Sequence, residues 1–127
     1  MRKFYASTLL GMTLCLSAIS QPFKMVRSWD DIGLIDIENV ININNTLFFI
    51  ANDGVSGKEL WKTDGTKAGT VMVKDINSSG DSNPRNFTNV NGTLFFTADD
   101  KTHGEELWKT DGTTAGTVMV KDISPFG

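Results

Sequence analysis

"ELWKTDGTKAGTVMVKDI", residues 59–76, returns at residues 106–123 as "ELWKTDGTTAGTVMVKDI", and the one difference is Lys67 against Thr114. The register holds upstream, where "NNTLFFIANDGVSGK" (44–58) aligns with "NGTLFFTADDKTHGE" (91–105) at the same offset of 47 residues. Eight of the 33 aligned positions differ, and five of these fall within 52–58. That is the substitution pattern of a surface loop. At lower identity the match continues through Asn39, Val40, Asn42 and Ile43, paired with Asn86, Phe87, Asn89 and Val90. Met25-Val26-Arg27 echoes Met72-Val73-Lys74, as the remnant strand of an earlier unit would. A period of this length points to a solenoid, a propeller or an array.

In the later copy, "NFTNV" (86–90) and "TLFFTA" (93–98) are β-rich runs joined by Asn91-Gly92. That pair accepts the positive φ of a type I′ hairpin turn. The polar loop "DDKTHG" (99–104) leads to "EELWKT" (105–110), and turn residues 111–116 lead to "TVMVKDI" (117–123). The earlier copy repeats the plan at 39–43, 46–51, 58–63 and 70–76. No helical periodicity interrupts it, so each copy reads as a four-stranded antiparallel meander.

Leu94, Phe95 and Phe96 are consecutive, as are Val118, Met119 and Val120, where a sheet with one wet face would alternate. Burial on both faces is therefore expected. A four-stranded unit of about 45 residues, covered on each side by its own copies, is the plan of a propeller blade. Trp61 and Trp108 are the expected packing residues between blades, since an aromatic of that size buries about 150–250 Å². The fold class that follows is all-β: two four-stranded antiparallel meander units of a β-propeller-like array whose ring is incomplete. Residues 39–85 make the first unit with its linker, and 86–127 make the second.

Glu59, Leu60, Trp61, Asp64, Gly65, Thr66, Gly69 and Thr70, with Glu106, Leu107, Trp108, Asp111, Gly112, Thr113, Gly116 and Thr117, resemble the ELWxxDGT repeat. That repeat occurs in many copies in large secreted bacterial proteins, sometimes labelled hyalin-like. The resemblance spans nearly all of the chain after residue 20. It implies a secreted or cell-surface repeat protein of propeller-like fold, and no established activity, cofactor or substrate. The copy number departs from the family's usual one. Two blades and a fragment leave apolar faces uncovered, so either a longer array or self-assembly with other copies of the repeat is expected.

The first twenty residues read as a signal peptide. Arg2 and Lys3 precede an apolar run from Leu9 to Ile19, and Ala18 and Ser20 suit a cut before Gln21. Eleven apolar residues fall short of the ~20 that span a bilayer. Cys15, the sole cysteine, lies inside that run, with Leu14 where a lipoprotein site needs a small residue. Residues 21–38 form an N-terminal segment holding the remnant strand. Loss of Arg2 and Lys3 leaves ten basic against fifteen acidic side chains, taking the net charge from −3 to −5. An acidic surface disfavours nucleic acid and anionic membrane as partners.

His103, the only histidine, has no cysteine, second histidine or glutamate cluster to make a zinc or nucleophile site, and reads as a loop residue. Asp64 and Asp111 open Asp-Gly-Thr turns, a structural use of a carboxylate. Calcium has weak support, because "NDG" at Asn52 and "DSN" at Asp81 lack the spaced pattern of a calcium loop. No catalytic, cofactor or metal residue is assigned. A ligand, whether extracellular protein or glycan, is expected at the loops where the copies differ, through Asn52, Asp53 and Ser56, and Asp99, Asp100 and His103. The alternative is part of a carbohydrate-active propeller, with Glu59 and Asp64 or Glu106 and Asp111 as its carboxylates.

Overall fold

The computed structural model describes residues 33–125. The expected signal peptide, Cys15 and the remnant strand at Met25–Arg27 lie outside the described residues. Eight strands follow one another: β1 (Ile35–Ile43), β2 (Thr46–Asn52), β3 (Lys58–Thr63), β4 (Val71–Lys74), β5 (Arg85–Val90), β6 (Thr93–Asp99), β7 (Glu105–Thr110) and β8 (Val118–Lys121). They form two four-stranded antiparallel sheets in the orders β1-β2-β3-β4 and β5-β6-β7-β8. Each unit is thus a meander, as the sequence indicates.

The hairpin turns have the chemistry their residues require. Asn44 and Asn45 stand at φ 51° and 63°, and Asn91 and Gly92 at 51° and 88°. These left-handed pairs match the twist of the strands they join. The first strand of each sheet is irregular. Pairing of β1 with β2 shifts between Ile35 and Glu38 and again before Ile41, and pairing of β5 with β6 shifts between Arg85 and Thr88. Asp36 and Asn39 are left-handed, as are Asn83 and Asn86, 47 residues on. The bulges therefore belong to the repeat, and Asp and Asn are the residues that tolerate them.

The core shows how the sheets meet. Ile43, Phe48, Leu60, Val73 and Ile76 of the first unit form one cluster with Leu94, Phe96, Ala98 and Trp108 of the second. Register explains the choice. Phe48 faces Lys62 and Ile50 faces Leu60 on one side of sheet 1, whereas Phe96 faces Trp108 and Ala98 faces Glu106 on the opposite side of sheet 2. One face of unit 1 packs on the other kind of face of unit 2, so the contact is head-to-tail. Phe87 closes edge-on to Phe96 with ring centroids 6.1 Å apart. A second cluster of Leu34, Phe49 and Ala51, joined by Ile37, Val40 and Trp61, occupies the far side of sheet 1.

The expectation of burial on both faces holds for sheet 1 and fails for sheet 2. Leu47 through Ala51 are buried without interruption, but β6 alternates, with Leu94, Phe96 and Ala98 buried and Phe95 and Thr97 half-buried. Ile43, Val73 and Ile76 are 3%, 2% and 8% exposed, while their counterparts Val90, Val120 and Ile123 are 47%, 46% and 67%. The side chains suit a covered face, and among the described residues no sheet lies over them. Trp108 packs between the sheets as expected, at 6% exposure. Trp61 instead joins the far-side cluster and stays half-buried.

Candidate functional site

The repeated sentence builds a hydroxyl relay in each unit. Gly65 N donates to Thr63 Oγ1 at 3.0 Å, and Thr70 Oγ1 donates to the Thr66 carbonyl at 2.6 Å. Thr63 and Thr70 hydroxyls lie 2.7 Å apart. A hydroxyl has one proton, so Thr63 must donate to Thr70, and the chain runs in one direction. Gly112, Thr110, Thr117 and Thr113 repeat it. Asp64 Oδ1 accepts from Thr66 N at 2.9 Å and from its hydroxyl at 2.6 Å, and Asp111 does the same for Thr113. The threonine hydroxyl, foremost, holds each carboxyl below the usual range. A Cβ at Gly69 or Gly116 would collide with the carboxylate of Asp64 or Asp111. These turns therefore require glycine by close approach.

Glu59 is fully buried and anchors the linker. Its carboxylate accepts from Ile76 N at 3.0 Å, Asn77 N at 3.2 Å and Ser82 Oγ at 2.6 Å. Burial pushes Glu59 up to about 7 from 4.5, against those three hydrogen bonds. Ser82 N also donates to the Lys58 carbonyl, and Asp99 N donates to the Ser82 carbonyl at 2.9 Å. The linker thus stitches the end of one unit to the next. Asp81 Oδ1 accepts from Lys58 N at 2.8 Å, and a Cβ at Gly57 would meet that oxygen at 2.5 Å. Glu106 accepts equivalently from Ile123 N and Ser124 N. The serines and Asp81 of the stretch 77–84 are the sequence signal that this linker carries internal bonds.

The variable loops are closed by their own side chains. Asp53 Oδ1 accepts from Val55 N and Ser56 N, and Oδ2 accepts from the Ser56 hydroxyl at 3.1 Å. The Ser56 backbone bond leads in holding Asp53 low. Asn52 and Asp99 close adjacent turns onto Gly54 N and Lys101 N. Asp100 accepts from Thr102 N and His103 N, and His103 Nδ1 lies 2.7 Å from its Oδ2. Burial opposes ionisation of Asp100, but the His103 bonds outweigh it and its carboxyl is lowered. The same contact raises His103. His103 therefore takes over the bond that Ser56 makes in the first unit.

Three side chains to which the sequence assigned no role cross between the units. Lys62 Nζ donates to the Gly112 carbonyl at 2.5 Å, and Lys74 Nζ donates to the Thr117 carbonyl at 3.0 Å while lying 5.8 Å from the Trp108 ring centroid. Thr114 Oγ1 donates to the Val73 carbonyl at 2.8 Å. Lys62 also helps hold Asp111 low, whereas no lysine does so for Asp64. The signal was in the sequence: Thr114 is the one residue of the sentence that differs between copies. A cleft of about 300 Å³ is lined by Glu38, Asn39, Ile50 and Lys58 of the first unit and by Asn83, Pro84 and Arg85. Lys58 pairs there with Glu38 at 2.6 Å. None of the loop residues expected to meet a ligand lines it.

The chain matches no family model, no curated protein and no solved structure. Among the described residues no three His, Cys, Asp or Glu side chains gather as a metal site. The repeated polar side chains instead converge on turns, linkers and the contact between sheets.

Proposed function

We propose that the chain is a secreted or cell-surface, non-enzymatic repeat protein of the ELWxxDGT type, whose propeller-like units stack to form a binding or structural module. One observation carries this reading. The polar residues that recur between the copies close turns, anchor linkers or run the threonine relay. Repetition here preserves a building plan. Glu59 and Glu106, the carboxylates of the carbohydrate-active alternative, are both buried and both held by backbone N–H groups. A glycosidase pair must instead flank a substrate.

Export tests the reading. Expression of the full chain in a bacterial host, followed by fractionation and mass measurement, is expected to yield a protein outside the cytoplasm that begins at Gln21. Retention in the cytoplasm with residues 1–20 intact would remove the basis for an extracellular role.

A further inference from the structure

We propose that the cleft framed by Lys58 and Arg85 binds a single six-carbon sugar acid, a hexuronate, whose carboxylate Arg85 holds. The inference rests on reading the protein as an extracellular binding module, and it places the ligand away from the variable loops. The volume of about 300 Å³ lies at the small end of the ~300–1,000 Å³ of small-molecule sites. It suits one compact ring.

The lining departs from the repeat in a way that sets its charge. At the offset of 47, Glu38, Ile50 and Lys58 become Arg85, Thr97 and Glu105, while Asn39 keeps its identity as Asn86. The ion pair survives with its sign reversed: Lys58 Nζ lies 2.6 Å from Glu38, and Arg85 Nε lies 3.4 Å from Glu105. The reversal matters because Arg85 also lines the cleft of the first unit. An unaltered repeat would put glutamate at 85 and leave two carboxylates around one lysine. The chain instead sets a lysine and an arginine against one carboxylate, in a protein whose net charge is −3. A local excess of cation on an acidic surface accommodates one anion, whereas the surrounding charge repels a polyanion.

The hydrogen-bonding groups narrow the ligand further. Arg85 is exposed, its approach to Glu105 is long, and among the described residues nothing else engages its guanidinium. Its NH₂ groups are left for the paired bonds that a carboxylate accepts. Glu38 is engaged by Lys58, which disfavours an amino acid, since an ammonium group would have to displace that lysine. Asn39 and Asn83 have side-chain amides without a hydrogen-bond partner among the described residues, and each can both donate and accept, as neighbouring sugar hydroxyls require. Ile50 and Pro84, both buried, give the base an apolar surface for the C–H face of a ring.

The test is an NMR titration of the purified protein with glucuronate, with glucose and acetate as separate probes and thermal melts to verify the folding of each variant. Saturable shifts are expected at the Asn39 and Asn83 amides and at Arg85 Nε, with a Kd on the order of 1 mM for so small a ligand. Arg85→Lys, which keeps the charge and loses the fork, should weaken binding about tenfold, and Arg85→Glu, the residue of an unaltered repeat, by more. Glucose and acetate should each bind at least about tenfold more weakly than glucuronate. Absence of saturable shifts overturns the proposal, as does binding that survives Arg85→Glu or shifts confined to the loops at 52–57 and 99–104. Acetate equal to glucuronate overturns the sugar, and glucose equal to it overturns the role of Arg85. Methyl glucuronide binding like the free acid marks the end of a glycan as the source, and its exclusion marks a free sugar acid. Export is scored separately, so an exported protein with an idle cleft defeats the site and leaves the extracellular reading standing.

Discussion

Phe48 and Phe95 occupy the same place in two copies of one unit, flanked in both by leucine and phenylalanine and paired in both with a lysine of the next strand. Phe48 is buried under a second sheet, and Phe95 is half-buried with no sheet above it among the described residues. Identical local sequence thus gives identical strands and different environments. Strand and turn are decided within a unit, by hairpin residues and threonine hydroxyls, but a face becomes core only when another unit arrives. The difference between the copies is what stacking contributes.

The most direct way to break this comparison is to remove each ring. Phe48→Ala is expected to destabilise the protein by about 3–5 kcal/mol, the usual cost of emptying a buried aromatic site. Phe95→Ala, measured by urea unfolding at a dilution where the protein is monomeric, should cost no more than about half of that. Equal losses would mean that the open face is covered after all.

Glu59 and Glu106 sharpen the contrast at the linker. Both accept two backbone N–H groups, but only Glu59 also takes Ser82 from the segment leading to the next unit. Its carboxyl titrates near 4.5 when unfolded and is pushed up to about 7 when folded. Between those values the folded protein keeps a proton the unfolded chain has released. This contribution is therefore fully present below about 4.5 and is lost as pH rises through 7, by on the order of 3 kcal/mol. Asp53, Asp64, Asp100 and Asp111, all held low, act in the opposite sense and below 3.8, outside that window. Urea unfolding at pH 5 and pH 8 should reveal the decline, and Glu59→Gln should flatten it. Glu59→Gln also faces an amide NH₂ toward donors, costing about 1–3 kcal/mol at pH 5.

The single difference in the repeated sentence allows a smaller test. Thr114→Val removes the hydroxyl that Val73 accepts and should lower stability by about 0.5–1.5 kcal/mol. Lys67→Val, at the equivalent place where no such bond exists in the chain, should change unfolding by less than about 0.5 kcal/mol. Matching effects would show that the hydroxyl contact contributes nothing between the sheets.

Much of the unit was legible because its signals are local. Asn91-Gly92 gave one hairpin and the offset of 47 the other, and five of the eight strands fall within one residue of their expected bounds. β1 begins at Ile35, earlier than Asn39, because two bulges break its alternation and hide the pattern. β4 ends at Lys74, short of Ile76, because Ile76 N turns to the Glu59 carboxylate and leaves the sheet ladder. The covered and open faces could not be told apart, since their residues are the same but for Val90 in place of Ile43 and Thr97 in place of Ile50. Nor could the lysines that cross between units, because an exposed Lys109 and a bonded Lys62 sit in one identical motif. Identity between copies located the motif; only the difference at Lys67 and Thr114 marked where the copies meet.

His103 tests the smallest difference. It replaces Ser56, and both donate to the second carboxylate oxygen of the loop aspartate, with the imidazole bond shorter at 2.7 Å against 3.1 Å. If the loops are built to one plan, His103→Ser should shift stability by less than about 0.5 kcal/mol at pH 8, where a serine supplies the same donor. At lower pH the histidine also brings a positive charge to the bond. Its bond to Asp100 raises it above 6.5, so the protonated form is favoured in the folded state. That stability is fully present below 6.5 and is lost as pH rises through the higher folded value. An NMR titration should therefore find His103 above 6.5, and Asp100→Asn should bring it back by removing the charge. A His103 that titrates at 6.5 or lower in the unaltered protein would mean that the bond is not held in solution. The loop would then be open for a ligand to order, and the two copies would differ in more than the donor that closes them.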